Sequence, residues 1–350
     1  MHGKGKLKRL SELGEFKLIT HLTRGFILRN KTSLKGVGDD AAVISCDQGK
    51  IVLTTDLLME GIHFNLIYTP LKHLGYKAVV VNLSDIYAMN ATPSQITVSI
   101  AVSRKFSVQA LEEFYNGVKM ACDKYSVDLV GGDTSSSLTG MMISIAALGF
   151  ATDKKLVYRT GAGLNDLICV SGDLGAAYTG LQILERERKI FESDHMIQPE
   201  LAGYDYILGR QLKPEARKDI IEKLDEIAVI PTSMIDISDG LSSDLLHICQ
   251  QSNKGCRIYQ DKIPVTFETI KAANELNIEP LICALNGGED YELLFTVPIS
   301  DTDKVTGIKE ISVIGHITGQ DTGTKLINIR GGEISLIAQG WDAMNGGRHS

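Results

Sequence analysis

The chain's apolar positions fall into two periods that separate strands from helices. Residues 51–55 form a short β-rich run that predicts a strand stopping at Asp56. Residues 75–91 predict a helix. Its Ala78, Val79, Val80, Val81, Leu83, Ile86, Ala88 and Met89 cover nearly every face, so it should be buried all round. Within it Asn82 and Asp85 are three apart and share one face. Residues 96–102 are again β-rich. Residues 107–125 carry Val108, Leu111, Phe114, Val118 and Ala121 at helical spacing behind Ser107, a candidate N-cap. Strands at 127–130 and 141–150 complete an order that suits an α+β sandwich with helices on one sheet face.

Residues 151–165 are polar and glycine-bearing, and we place a domain boundary there, giving domains 1–152 and 153–350. The second half alternates again: strands at 167–170, 233–237, 291–297 and 311–317, helices at 241–251 and 267–276, and helical material down to about 224. Residues 186–200 are charged and should be exposed. The second half echoes the first in architecture but does not repeat its sequence.

Composition narrows the function classes. A chain of 350 residues suits two cores rather than one. Net charge is −7 and no basic stripe exists, which argues against nucleic acid. The basic start, residues 1–9, is followed by no hydrophobic stretch of signal type. No run approaches the roughly 20 apolar residues of a membrane span. A cytoplasmic protein with no membrane partner is expected. Cys46, Cys122, Cys169, Cys249, Cys256 and Cys283 form no CxxC pair and mostly sit in apolar surroundings, as reduced core thiols do.

The chemistry lies in aspartates set where apolar runs break into glycine or hydroxyl residues. They occur in Gly36-Val-Gly-Asp39-Asp40, Thr54-Thr55-Asp56, Val130-Gly-Gly132-Asp133-Thr134 and Asp236-Ile-Ser-Asp239-Gly-Leu-Ser-Ser243-Asp244, with Asp85 inside the apolar helix. Such carboxylates are costly unless a positive charge offsets them. No matching set of Lys and Arg lies beside them in the sequence. Hard divalent cations bridging a polyphosphate would supply that charge. Each motif also has a plainer reading. Asp and Gly favour turns, Asp56 could cap a following helix, and one aspartate of 236–244 is surely a cap. Asp85 could be a buried hydrogen-bonding residue, and a lone His63 is more often structural. Gly131 and Gly132 would let a phosphate approach the backbone, but no P-loop and no well-placed GxGxxG is present. Glu289 and Asp290 could be a polar turn, and Trp341, the sole tryptophan, could be packing.

In order and spacing the motifs resemble the thiamine-monophosphate kinases, of the superfamily that holds aminoimidazole ribonucleotide synthetase and selenophosphate synthetase. Thr54-Thr55-Asp56 with Glu60-Gly-Ile-His63-Phe64, and Gly288-Glu289-Asp290-Tyr291-Glu292-Leu293, carry the likeness to the kinase itself. The resemblance implies two α/β domains, an N-terminal mixed sheet that pairs in a homodimer, and ATP bound near that junction. It implies direct phosphoryl transfer from ATP to thiamine monophosphate with several Mg²⁺ ions. By motif, Asp40, Thr54, Thr55, Asp56, Asp85, Asp133, Asp239 and Asp244 would hold metal. Gly132, Asp133, Arg159 and Ser243 would contact ATP, and His63, Glu289 and Trp341 would line the thiamine side. Asp39 and Asp236 would be turn and supporting residues. No Ser-His-Asp or Cys-His set is present, as suits an acceptor that is already an ionised phosphate. The alternatives are another ATP-using synthetase of the superfamily, or a nucleotide-binding module without chemistry. The cysteines that the selenophosphate and hydrogenase-maturation enzymes would want at the chain ends are absent, and the full run of acids exceeds what a sensor needs.

Overall fold

The computed structural model describes residue 20, residues 31–47 and residues 49–338. The architecture is α+β in two domains, each built on a mixed sheet. The first sheet contains β1 (Ser33–Lys35), β2 (Ala42–Cys46), β3 (Gly49–Met59), β4 (Thr92–Val102), β5 (Asp128–Ser136) and β6 (Met141–Ala151). Its order is β1-β2-β3-β6-β4-β5, and its one parallel pair is β4–β5.

Helices α1 (Leu71–Ala88) and α2 (Val108–Tyr125) cover one face of this sheet. Ser107 caps α2 as the sequence predicts, its hydroxyl accepting the Ala110 N–H at 3.1 Å. The two helices touch backbone to backbone. A Cβ on Gly75 would stand 2.0 Å from the Phe114 carbonyl oxygen, and one on Gly117 would stand 1.9 Å from that of Lys72. Among the described residues no helix covers the other face of the sheet, and Leu57, Met59, Met142 and Phe150 are exposed there.

The second sheet has the order β13-β12-β9-β11-β7-β10-β8. Its strands are β7 (Leu167–Ser171), β8 (Ser233–Asp236), β9 (Lys254–Tyr259), β10 (Leu293–Val297), β11 (Ile311–Gly319), β12 (Thr324–Ile327) and β13 (Glu333–Ser335). Helices α3 (Ala176–Ser193), α4 (Asp205–Leu212), α5 (Lys218–Glu226), α6 (Leu241–Ser252), α7 (Phe267–Glu275) and α8 (Pro280–Asn286) pack around it. The charged run ends α3 and continues as exposed, non-helical chain after Ser193.

Helix α1 belongs to both domains. One side lies on the first sheet. At its other side Ala88 packs with Val157, Met234, Leu293 and Phe295. That double burial explains why its sequence is apolar on every face. Several boundaries differ from the sequence reading: β4 starts at Thr92 and β10 at Leu293, and three further differences bear on the site. Strand β3 runs through Asp56 to Met59, because its pairing with β6 continues without a break. Strand β5 likewise runs through Gly132 and Asp133 rather than ending before them. Helix α1 starts behind Pro70 and ends at Ala88, which puts Asp85 in its last turn. Among the described residues no helix is long and apolar enough to cross a membrane.

Candidate active site

The acids converge where the two domains meet along α1. Strand alternation sends Thr54 and Asp56 to the helix-covered face of β3. There the Thr54 hydroxyl donates to Asp85 at 2.6 Å, and the Asp56 N–H donates to the Asn82 side chain at 3.1 Å. Asn82 and Asp85 therefore do share a face, and that face fastens β3 to α1. One residue back, the Ser84 hydroxyl donates to Asp236 at 2.6 Å. Asp236 ends β8, so this bond joins the second domain to the first. Carboxylate oxygens of Asp40, Asp85 and Asp236 lie within 4.8 Å of one another.

Two features of the sequence reading change here. Asp236, set aside as a supporting residue, stands in the cluster. The acids also have a cation. Arg159 grips Asp40 through two bonds, Nε to Oδ2 at 3.0 Å and NH2 to Oδ1 at 2.8 Å. Asp39 is a turn residue: it accepts the Arg159 N–H and pairs with Lys35 at 3.1 Å. Asp244, at the start of α6, turns Oδ2 back to the N–H groups of Asp239 and Gly240, at 3.3 and 3.1 Å. The N-cap of α6 is Gly240, and Asp244, in the first turn, instead closes the loop that leads into the helix. Ser243 is buried beside it.

One arginine does not balance the cluster. Burial is the first cause in every case, and it raises the carboxyl of Asp40 to about 7 and those of Asp56 and Asp236 to about 6. Burial, then the neighbouring Asp56, Asp236 and Asp40, pushes Asp85 well above the carboxylate range. Burial, then Asp239 and Asp236, does the same to Asp244. Buried like charges resist ionisation together, and a cation placed among them removes the penalty. The donors are carboxylate and hydroxyl oxygens, with no His or Cys among them, and such a set suits Mg²⁺ rather than zinc.

A second group forms the other end of the site. His63 Nδ1 accepts the Met59 N–H at 3.1 Å, so the neutral ring carries its proton on Nε2. Burial lowers its basicity, with Glu289 opposing and Lys77 reinforcing that shift. Lys77 pairs with Glu289 at 3.2 Å and donates to the Gln211 carbonyl at 3.0 Å. Gln211 also donates to Glu289 at 2.7 Å. Lys77 escaped the sequence reading. The signal for it was an ammonium inside a helix whose apolar residues cover nearly every face.

Other expected residues lie elsewhere. Thr55 points to the open face of the sheet and donates to the Ile145 carbonyl at 3.0 Å. Asp133 pairs across β4 and β6 with Ser99, Ser144 and Leu57, and so it is on the open face too. Strands β3 and β5 are three strand spacings apart, roughly 14 Å. Within one chain Thr55, Gly132 and Asp133 are therefore not part of the buried cluster. A Cβ on Gly132 would stand 1.8 Å from the Val98 carbonyl oxygen, so this glycine is needed for the strand pairing itself. Trp341 lies outside the described residues.

Residues 38–151 match the family model of AIR synthase related protein, N-terminal domain. The thiamine-monophosphate kinase of Aquifex aeolicus (strain VF5) is 37% identical over 290 residues, 83% of this chain and 88% of that protein. The chain belongs to the thiamine-monophosphate kinase family. The counterpart from Buchnera aphidicola subsp. Schizaphis graminum is 36% identical over 322 residues, 90% of this chain and 94% of that one. The solved structure of AaThiL complexed with AMPPCP and TMP superposes with a TM-score of 0.82 at 32% identity, over 97% of this chain and 99% of that one. The family likeness drawn from the motifs is thereby borne out, and so is the two-domain α+β fold.

Proposed function

We propose that this chain phosphorylates thiamine monophosphate to thiamine diphosphate, with ATP as donor and without a covalent enzyme intermediate. The observation that carries the reading is the buried carboxylate cluster at the domain junction, ending in the His63–Glu289–Lys77 group. Bound Mg²⁺ would neutralise the two anionic substrates and align the transferred phosphoryl group. Asp40, Asp56, Asp85, Asp236 and Asp239 are the residues we assign to holding it, with Thr54 and Ser84 orienting two of those carboxylates. Arg159 supplies fixed positive charge beside Asp40 for the nucleotide phosphates. His63, with its free Nε2–H, and Glu289, held by Lys77 and Gln211, receive the organic part of the acceptor. Domain 1–152 would carry most of the metal and nucleotide contacts, and domain 153–350 would complete the site.

We further propose a homodimer formed through the open sheet face, where Leu57, Met59, Met142 and Phe150 are exposed. Thr55, Gly132 and Asp133 lie on or beside that face, and their part in nucleotide binding belongs with the dimer. A cytoplasmic location fits six unpaired cysteines. The test of the activity is purified protein with ATP, MgCl₂ and thiamine monophosphate, followed for thiamine diphosphate. Absence of product under conditions where ATP binds would overturn it.

A further inference from the structure

One backbone segment joins both ends of the site. The segment from Glu289 to Glu292 runs antiparallel beside Asp236–Asp239. Glu289 N–H donates to the Ser238 carbonyl at 2.7 Å, Tyr291 N–H to that of Ile237 at 2.9 Å, and Ile237 N–H to that of Glu292 at 2.7 Å. The segment enters the left-handed region at Gly288 (φ +71°), Glu289 (φ +58°) and Tyr291 (φ +52°). Glycine takes that conformation freely, but a residue as bulky as tyrosine rarely does. Its neighbours in sequence turn the other way. Asp290 accepts the Gly175 and Ala177 N–H groups, and Glu292 binds Arg210 and Arg217.

Tyr291 is 8% exposed, yet it belongs to none of the four apolar clusters that form the cores. The charges that act on its phenol are those of Glu289, Asp56, Asp236 and Asp85. A packing tyrosine would belong to such a cluster, whereas this one is fastened by its backbone beside Asp236 and feels the charge of the site's carboxylates. Among the described residues its hydroxyl makes no hydrogen bond.

We propose that Tyr291 is a further substrate-binding residue: its hydroxyl donates a hydrogen bond to a non-bridging oxygen of the acceptor's phosphate monoester. The proposal rests on the kinase reading above. Glu289 and His63 hold the organic end of the acceptor, and Tyr291, two residues after Glu289, is fastened by its N–H to Ile237, the residue next to Asp236 among the acids that hold the cation. A donor at that point fixes the incoming phosphate against the phosphoryl group it attacks. A phenol, with an ordinary pKa of about 10, is protonated at neutral pH, so it serves as a donor and takes no proton from the reaction. The attacking phosphate oxygen forms the new P–O bond, the bond to the β-phosphate oxygen breaks, and ADP leaves with that electron pair.

The experiment is Tyr291→Phe, which keeps the ring and removes one hydroxyl. Steady-state kinetics would be paired with calorimetric titration of thiamine monophosphate and of ATP, each in Mg²⁺. The expected result is a fall of about tenfold to hundredfold in kcat/KM for thiamine monophosphate, with weaker binding of that ligand and ATP affinity unchanged. Equal kcat/KM in both proteins overturns the proposal. So does an equal loss of affinity for both ligands, which marks a structural role. If wild-type protein makes no thiamine diphosphate, the kinase reading fails. Thiamine monophosphate titration then still decides the role of Tyr291, because equal affinity in the two proteins overturns it.

Discussion

At the residue scale the site is a set of carboxylates that burial would rather protonate. Their roles differ by geometry more than by motif. Asp236 faces Asp40 and Asp85, whereas Asp39 faces Lys35 and the Arg159 backbone. Asp236→Asn should therefore lower turnover by more than the roughly 10- to 100-fold that loss of a partner outside the metal's own ligands costs. Asp39→Asn should stay within about that range. Turnover measured at saturating Mg²⁺ checks both, and equal effects would remove the distinction. A second expectation concerns pH. The folded-state carboxyls of Asp40, Asp56 and Asp236 stand at about 6 to 7, above their ordinary value of 3.8. The folded protein then binds more protons than the unfolded chain between those values, so stability falls as pH rises through that window. Metal-free protein should melt at a lower temperature at pH 8 than at pH 5. Mg²⁺ should raise the melting temperature strongly at pH 8 and little at pH 5. A melting temperature indifferent to both would count against a cation site.

At the element scale α1 is the member on which the site depends. It presents Asn82 and Asp85 to β3, Ser84 to β8 and Lys77 to Glu289, all within nine residues. Its position rests on the backbone contact with α2 at Gly75 and Gly117. Gly117→Ala would force a methyl group onto the Lys72 carbonyl, and the helices would have to separate. Overpacking of this kind costs about 1–3 kcal/mol, which urea denaturation would detect. Activity should fall with it, because displacement of α1 moves Ser84 away from Asp236. An unchanged midpoint would show that the contact is less tight than the geometry gives.

At the scale of the whole molecule the proposed dimer would cover the open face of the first sheet. Leu57→Glu would place a charge in the middle of the proposed dimer surface. Light scattering should report a dimer for the wild type and a monomer for the variant, with the monomer losing nucleotide turnover. A monomeric, fully active wild type would remove the dimer from the mechanism.

The difference between what was legible and what was not has a physical cause. Apolar periodicity is a local property, so the sequence by itself determined that α1 is a helix buried all round, that Ser107 caps α2, and that two α+β domains form. The order of the acidic motifs determined the family. Local periodicity does not report which face of a strand a residue takes once the strand is longer than expected. Nor does it report which distant groups share a cavity. Thus β3 running on through Asp56, the separation of Thr55 and Asp133 from Thr54 and Asp56, and the entry of Asp236 and Lys77 into the site were decided by strand pairing and by the packing of one domain against the other. Pairing register and burial are set by residues far apart in the chain, and only the tertiary structure brings those together.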